Sequence, residues 1–200
     1  MGRNHLAHQE GTMNHNDYDW YYDRANGLCI EDRWGQAIIY ALEGLRFYAD
    51  RPELLILIGD IYVLRYEELG MSEEEACGLA LDYFERAIQI EPGLADAWAG
   101  KSLALKYLRR HGEALQAAEE GLKVLPRRQG IYADELYTNI AESLFAAKVT
   151  ALAGLGRAEE AREALSEGLG HCPGSSYLSL LVDEVAPQPG DSQHDSTSDE

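Results

Sequence analysis

Self-similarity at a fixed period restricts the fold of this chain more than any single residue does. Ala80, Phe84, Ala87 and Pro92 have the same spacing as Ala114, Ala118, Gly121 and Pro126, thirty-four residues further on. A period of this size belongs to stacked supersecondary units, each unable to bury its apolar face alone. The spacing returns at Ala161, Leu165, Gly168 and Pro173, one period plus thirteen residues after the Ala114 set, and at Ala37, Ala41, Gly44 and Ala49, one period plus nine before the Ala80 set. A second signature shares the frame. Tyr21, Trp98 and Phe145 precede Ala37, Ala114 and Ala161 by sixteen residues, Leu55 precedes Ala80 by sixteen plus nine, and Ser179 opens a further unit. Four repeats and a partial fifth are in register.

These residues resemble the tetratricopeptide repeat family, whose unit pairs two antiparallel helices with the pattern W-x2-L-G-x2-Y, then A-x3-F, then P. The second repeat matches best, with Leu55, Ile58, Gly59 and Tyr62 on its first helix and Ala80, Phe84, Ala87 and Pro92 on its second. The third keeps Trp98, Ala114 and Pro126 but has Lys101 and Ser102 where the family favours Leu and Gly. The resemblance covers residues 17 to 186. It implies an all-α fold: a right-handed superhelical solenoid of antiparallel helix pairs, about four units plus a C-terminal capping helix over Ser176 to Val185. The pattern has a physical basis. Gly59, Ala80, Ala87 and Ala114 let helix backbones approach, Trp98, Phe84 and Tyr62 fill the space beside them, and the prolines end helices.

Composition agrees with a single helical array. No run approaches the roughly twenty apolar residues needed to span a bilayer. The first sixteen residues are polar and His-rich without the apolar core of a signal peptide, so a cytoplasmic location is expected. Three cysteines without metal-ligand spacing fit a reducing compartment. The net charge of −18, from 35 acidic and 17 basic residues, excludes nucleic acid as a partner, because no basic stripe neutralises phosphates. It disfavours anionic membranes as well. Residues 1–16 and the acidic stretch 187–200 are too polar to offset their ordering entropy, so both are expected to be disordered, flanking a repeat domain over 17–186. His5, His8 and His15 lack the supporting groups of a metal site.

Two insertions distinguish this array. The nine extra residues of the second repeat fall between its helices, within the stretch from Glu67 to Ala76. There Ser72 and Glu75 form a capping box that starts the second helix at Glu73. The thirteen extra residues lie between repeats, within the stretch from Arg127 to Ala141, and the stripe Leu136, Ile140, Leu144, Ala147 extends the first helix of the fourth repeat toward its N-terminus. Each is either a docking ledge or tolerated length variation in an exposed turn.

No catalytic motif is present: no phosphate-binding glycine loop, no H-E-x-x-H, no G-x-S-x-G. His171 and Cys172 read as a partly exposed structural pair, His111 as a surface residue in a turn, and Glu119/Glu120 and Glu159/Glu160 as solvated faces. Neither enzymatic activity nor a cofactor nor a metal is expected.

A surface remains. The resemblance implies that the first helices line a concave groove, with inward positions two before and one, five and eight after each opening residue. These are Asp19, Tyr22, Asn26 and Cys29; Glu53, Ile56, Asp60 and Val63; Asp96, Ala99, Leu103 and Lys106; and Ser143, Ala146, Thr150 and Ala153. The groove is acidic near Asp19, Glu53, Asp60 and Asp96, and small or apolar toward the fourth repeat. Co-chaperone arrays of this family grip acidic C-termini with two lysines, two asparagines and an arginine. The corresponding residues are Tyr22, Asn26, Leu57, Asp96 and Gly100 on the first three repeats, where only Asn26 matches. On the last three they are Ile56, Asp60, Gly100, Ser143 and Ala147, where none does. The expectation is a non-enzymatic adaptor for a protein or peptide segment with basic and small apolar side chains. A cytoplasmic acidic chaperone of a secreted client and a self-assembling structural array are the alternatives.

Overall fold

The computed structural model describes residues 17–125 and 135–185. Stretches 1–16 and 187–200, most of the 127–141 insertion and Pro126 lie outside the described residues. Those described form helices and turns, with no strand among them: α1 (Tyr18–Ile30), α2 (Trp34–Phe47), α3 (Pro52–Leu64), α4 (Glu73–Ile90), α5 (Ala95–Tyr107), α6 (His111–Val124), α7 (Glu135–Gly154), α8 (Ala158–His171) and α9 (Ser176–Glu184).

The helix boundaries have local causes. Pro52 occupies the first turn of α3, where its missing N–H costs nothing. Ser72 caps α4, its side chain accepting from the Glu75 N–H at 3.3 Å, so the capping box forms where the sequence places it. Ser175 caps α9 in the same way, accepting from the Leu178 N–H at 2.9 Å. Three of the turns within pairs are alike. Asp32, Arg109 and Gly156 adopt the left-handed conformation with φ of 56°, 54° and 73°. The next residue, Arg33, Arg110 or Arg157, donates its N–H to Leu28, Leu105 or Leu152, each at 2.9 Å. Two of the three turns thus place a side chain where glycine is easier, at roughly 1 kcal/mol each. In the second pair this turn is replaced by residues 65–72, with Gly70 at φ 70°.

A row of glycines fixes the spacing between units. A Cβ on Gly44 would come within 2.9 Å of both Tyr21 and Leu54; one on Gly121 would meet Leu144 at 2.4 Å and Trp98 at 2.9 Å; one on Gly168 would meet Phe145 at 2.9 Å and Leu178 at 3.2 Å. Each glycine receives the opening residue of its own pair and a leucine of the next helix, which is why one spacing recurs along the chain. The fully buried Phe84 fills this role differently: its ring lies against Gly59 of α3 and Gly100 of α5.

The order of contacts sets the curvature. Within each pair the helices pack side by side, and α3 also packs on α5, α5 on α7 and α7 on α9, whereas among the described residues neither α1 and α3 nor any two even-numbered helices pack to that extent. A layer in which neighbours touch is shorter than one in which they do not, so α3, α5, α7 and α9 form the inner face of a curved array.

Candidate functional site

The inner face is built from one side of α3, α5 and α7, with α9 continuing the row and α1 reaching α3 through Tyr18 and Glu53. At its N-terminal end Tyr18 stacks on Tyr22 with ring centroids 6.1 Å apart, and the Arg51 guanidinium lies 4.6 Å from the Tyr18 ring. Burial, and then the hydrogen-bonded Glu53 beside it, push the Tyr18 hydroxyl well above the usual range of tyrosine. Glu53 is thus engaged by α1 and is not a free carboxylate.

Further along lie Asp60 of α3 and Asp96 of α5. Both are partly buried, and among the described residues neither has a hydrogen-bond or ion-pair partner. Asp60 is closely surrounded by protein yet retains accessible surface, the situation of a residue on a groove floor. Burial, and then the charge of Asp96, raise the Asp60 carboxyl from 3.8 to about 8; burial raises Asp96 as well. Two carboxyls with no cation between them disfavour simultaneous ionisation.

The positions read from the sequence divide by burial. Ile56, Val63 and Ala99 are 7%, 2% and 7% exposed, and they form the packing beneath the groove where the sequence frame has them lining it. The adjacent inner helices cover them. Tyr22, Asn26, Asp60, Asp96, Leu103, Lys106 and Thr150 are partly accessible, and Glu53 is exposed. The Thr150 hydroxyl donates to the Ala146 carbonyl at 2.9 Å. Lys106 donates to the Tyr177 hydroxyl at 3.2 Å across α7. Tyr177 was not among the expected lining residues, nor was Leu180, which is 70% exposed. The signal for both was available: they stand two before and one after Ser179, the same inward offsets as in the earlier units.

One other expectation is corrected. His111 begins α6 and is half-buried against Gly154, whose missing side chain makes room for the imidazole; a Cβ there would lie 2.6 Å from Nδ1. Cys172 is buried, its thiol directed at the Thr138 carbonyl at 3.8 Å, while His171 stacks on Phe145. The acidic pairs of the outer helices are drawn into surface ion pairs, with Lys123 on Glu120 at 2.7 Å and Arg157 on Glu160 at 2.5 Å. A shallow surface depression lies at the α1–α2 turn, lined by Arg33, Trp34, Gln36 and Glu68, with Arg65 stacked over Trp34 at 4.6 Å. Glu68 brings the 67–76 insertion to this edge.

The Asp60 shift has a consequence for stability. In the unfolded chain the carboxyl ionises near 3.8, but in the folded chain only near 8. Below pH 3.8 both states hold the proton. Between the two values the folded state holds more protons, so stability falls as pH rises. Asp60→Asn is therefore expected to stabilise the protein at pH 8 by roughly 1–3 kcal/mol, allowing for the solvent that still reaches the group, with little change at pH 4. Urea denaturation at the two pH values measures this; a destabilised variant at pH 8 contradicts it.

Comparison with known proteins adds three findings. The model of the family described as Domain of Unknown Function (DUF3856) matches residues 65–169. An uncharacterised protein of Methanocaldococcus jannaschii is 47% identical over 45 residues, 22% of this chain and 52% of that protein, so the chain spans about half the length of this curated relative. Among solved structures, a thermophilic TPR protein of Thermus thermophilus superposes with a TM-score of 0.64 at 16% identity, covering 86% of this chain and 82% of that one. YrrB, described as a TPR protein with an unusual peptide-binding site, superposes with a TM-score of 0.58 at 18% identity, covering 86% and 79%. The fold is that of the tetratricopeptide repeats. Among the described residues, no helix is long and apolar enough to cross a membrane.

Proposed function

We propose that this chain, which belongs to the family described as Domain of Unknown Function (DUF3856), is a non-enzymatic interaction scaffold that holds a segment of another protein along the inner face of its repeats. The observation supporting this reading is the Asp60–Asp96 pair. Both carboxyls are partly buried, burial raises both, and among the described residues neither has a cation partner, so their ionisation opposes folding. A residue kept at a cost to stability, on the face this fold leaves open, is accounted for by use there. The partner segment presents a basic side chain to the pair and small apolar side chains to the Leu103 and Thr150 region, where the lining loses its charge. YrrB, a structural neighbour described as having a peptide-binding site, lends support through shared architecture.

Action by binding without turnover agrees with the thiols. Burial raises Cys29, Cys77 (to about 11) and Cys172, so none is poised as a thiolate nucleophile.

The test is selection from a random peptide library on the immobilised protein, followed by hydrogen-exchange mapping of the enriched peptides. Enrichment of arginine or lysine, with protection in α3 and α5, is the expected result. Peptides that instead protect α2, α4 and α6 would overturn the proposal.

A further inference from the structure

We infer that Lys106 and Tyr177 form a clasp that closes the inner face over α7, and that a segment binding along the groove must part it. The clasp regulates the groove proposed above and rests on that reading.

Its position is out of pattern for the fold. In a repeat array each unit meets only its neighbours, yet Lys106 belongs to α5 of the third unit and Tyr177 to α9 of the fifth, with α7 packed between those helices. The Lys106 Nζ donates to the Tyr177 hydroxyl at 3.2 Å, and the ammonium lies 6.0 Å from the centre of the Tyr177 ring. Two long side chains can meet across α7 because its inward positions hold small ones, Ala146 and Thr150 among them. A segment laid along the inner face crosses the same helices, from α5 over α7 to α9. The clasp and the segment therefore compete for one path.

The contact is built to release. Of the chain's four lysines, Lys101, Lys123 and Lys148 pair with Glu85, Glu120 and Glu167 at 3.0, 2.7 and 3.3 Å. Lys106, among the described residues, has the neutral Tyr177 hydroxyl instead, and a bond to a neutral oxygen is weaker than one to a carboxylate. Tyr177 is 41% exposed, so water replaces the bond when it breaks. The freed ammonium has a second place to rest, since it already lies 5.3 Å from the centre of the Tyr107 ring on its own helix. A closed and an open form thus differ by little in free energy, and a ligand that binds only the open form shifts the balance between them.

The sign of the effect follows. Closure lowers the apparent affinity in proportion to the fraction of molecules that are open. A hydrogen bond of this kind favours the closed form by a factor of roughly 3 to 10, so releasing it should tighten binding by about that factor. A contact that only stiffened a ready-made groove would have the opposite sign, and its loss would weaken binding.

The whole chain and its Tyr177→Phe variant, which loses the acceptor oxygen but keeps the ring and the net charge, are titrated with an acetylated, amidated peptide of alternating arginine and alanine. About twelve residues suffice, because an extended chain rises roughly 3.3 Å per residue and α3 to α9 span three helix spacings of roughly 10 Å. Affinity is measured by calorimetry, the contact surface by amide chemical shifts, and the clasp by the Lys106 ammonium signal, assigned with Lys106→Met. Expected are binding roughly 3- to 10-fold tighter in Tyr177→Phe and, on saturation of the wild type, movement of the ammonium signal toward its position in that variant. Equal or weaker binding by Tyr177→Phe overturns the clasp alone, as does a wild-type ammonium signal that stays in place while amides of α5 and α7 shift. A peptide that perturbs no amide of α3, α5, α7 or α9 in either protein overturns the groove, and the clasp with it.

Discussion

Replacing Phe84 by alanine is expected to destabilise the protein by about 3–5 kcal/mol, at the upper end for a buried large-to-small change. The ring is fully buried and lies against two glycines on two different helices: a Cβ on Gly59 would lie 2.7 Å from it and one on Gly100 only 2.2 Å. Backbone walls cannot swing in to fill the space as long side chains can, so the cavity left by truncation should persist. Because α3, α4 and α5 all border that cavity, the loss falls on the junction between the second and third pairs and not on one helix alone. Equilibrium denaturation monitored by circular dichroism gives the value. A variant within half a kilocalorie of the wild type would contradict the assigned role of Phe84 at this junction.

Partner capture is expected to fall by at least an order of magnitude when Asp60 and Asp96 are both replaced by alanine, measured at pH 8.5 against a bound arginine-containing peptide. A charge-assisted hydrogen bond contributes roughly 1.5–3 kcal/mol, and each tenfold in affinity is about 1.4. Helical content should be retained and stability should not fall, because the substitution removes two carboxyls that folding leaves unpaired. Glu159→Ala, on an exposed outer position paired only with Arg162, should change neither. Equal capture by the wild type and the double variant would shift attention from the groove to the turn edge around Trp34 and Glu68.

How much of this was legible in the sequence depends on which interactions decide each feature. The helix pairs and their register were legible because small residues and bulky partners must recur wherever identical packing recurs. Gly44, Gly121 and Gly168 announced the seats that Tyr21, Trp98 and Phe145 occupy. The start of α4 was legible too, since a capping box is local chemistry between Ser72 and Glu75. Gly100 was not: it falls two residues after Trp98, where the repeat signature asks for no small residue, and its purpose appears only once Phe84 arrives from α4. Tyr177 belonged to the frame, yet its bond to Lys106 spans seventy-one residues.

The groove shows the division most clearly. By itself, the sequence determined the helix pairs and their register, and through the family resemblance it assigned Asp60 and Asp96 to one side of the array, because the repeat frame gives every position a face. Only the tertiary structure decided that both are partly buried and, among the described residues, without a cation. It likewise placed Ile56, Val63 and Ala99 beneath the surface instead of on it. Face is a property of one helix and its period, whereas burial and proton affinity depend on how near the neighbouring helices come, and that distance is set by residues such as Gly59 and Gly100 far from the groove's own pattern.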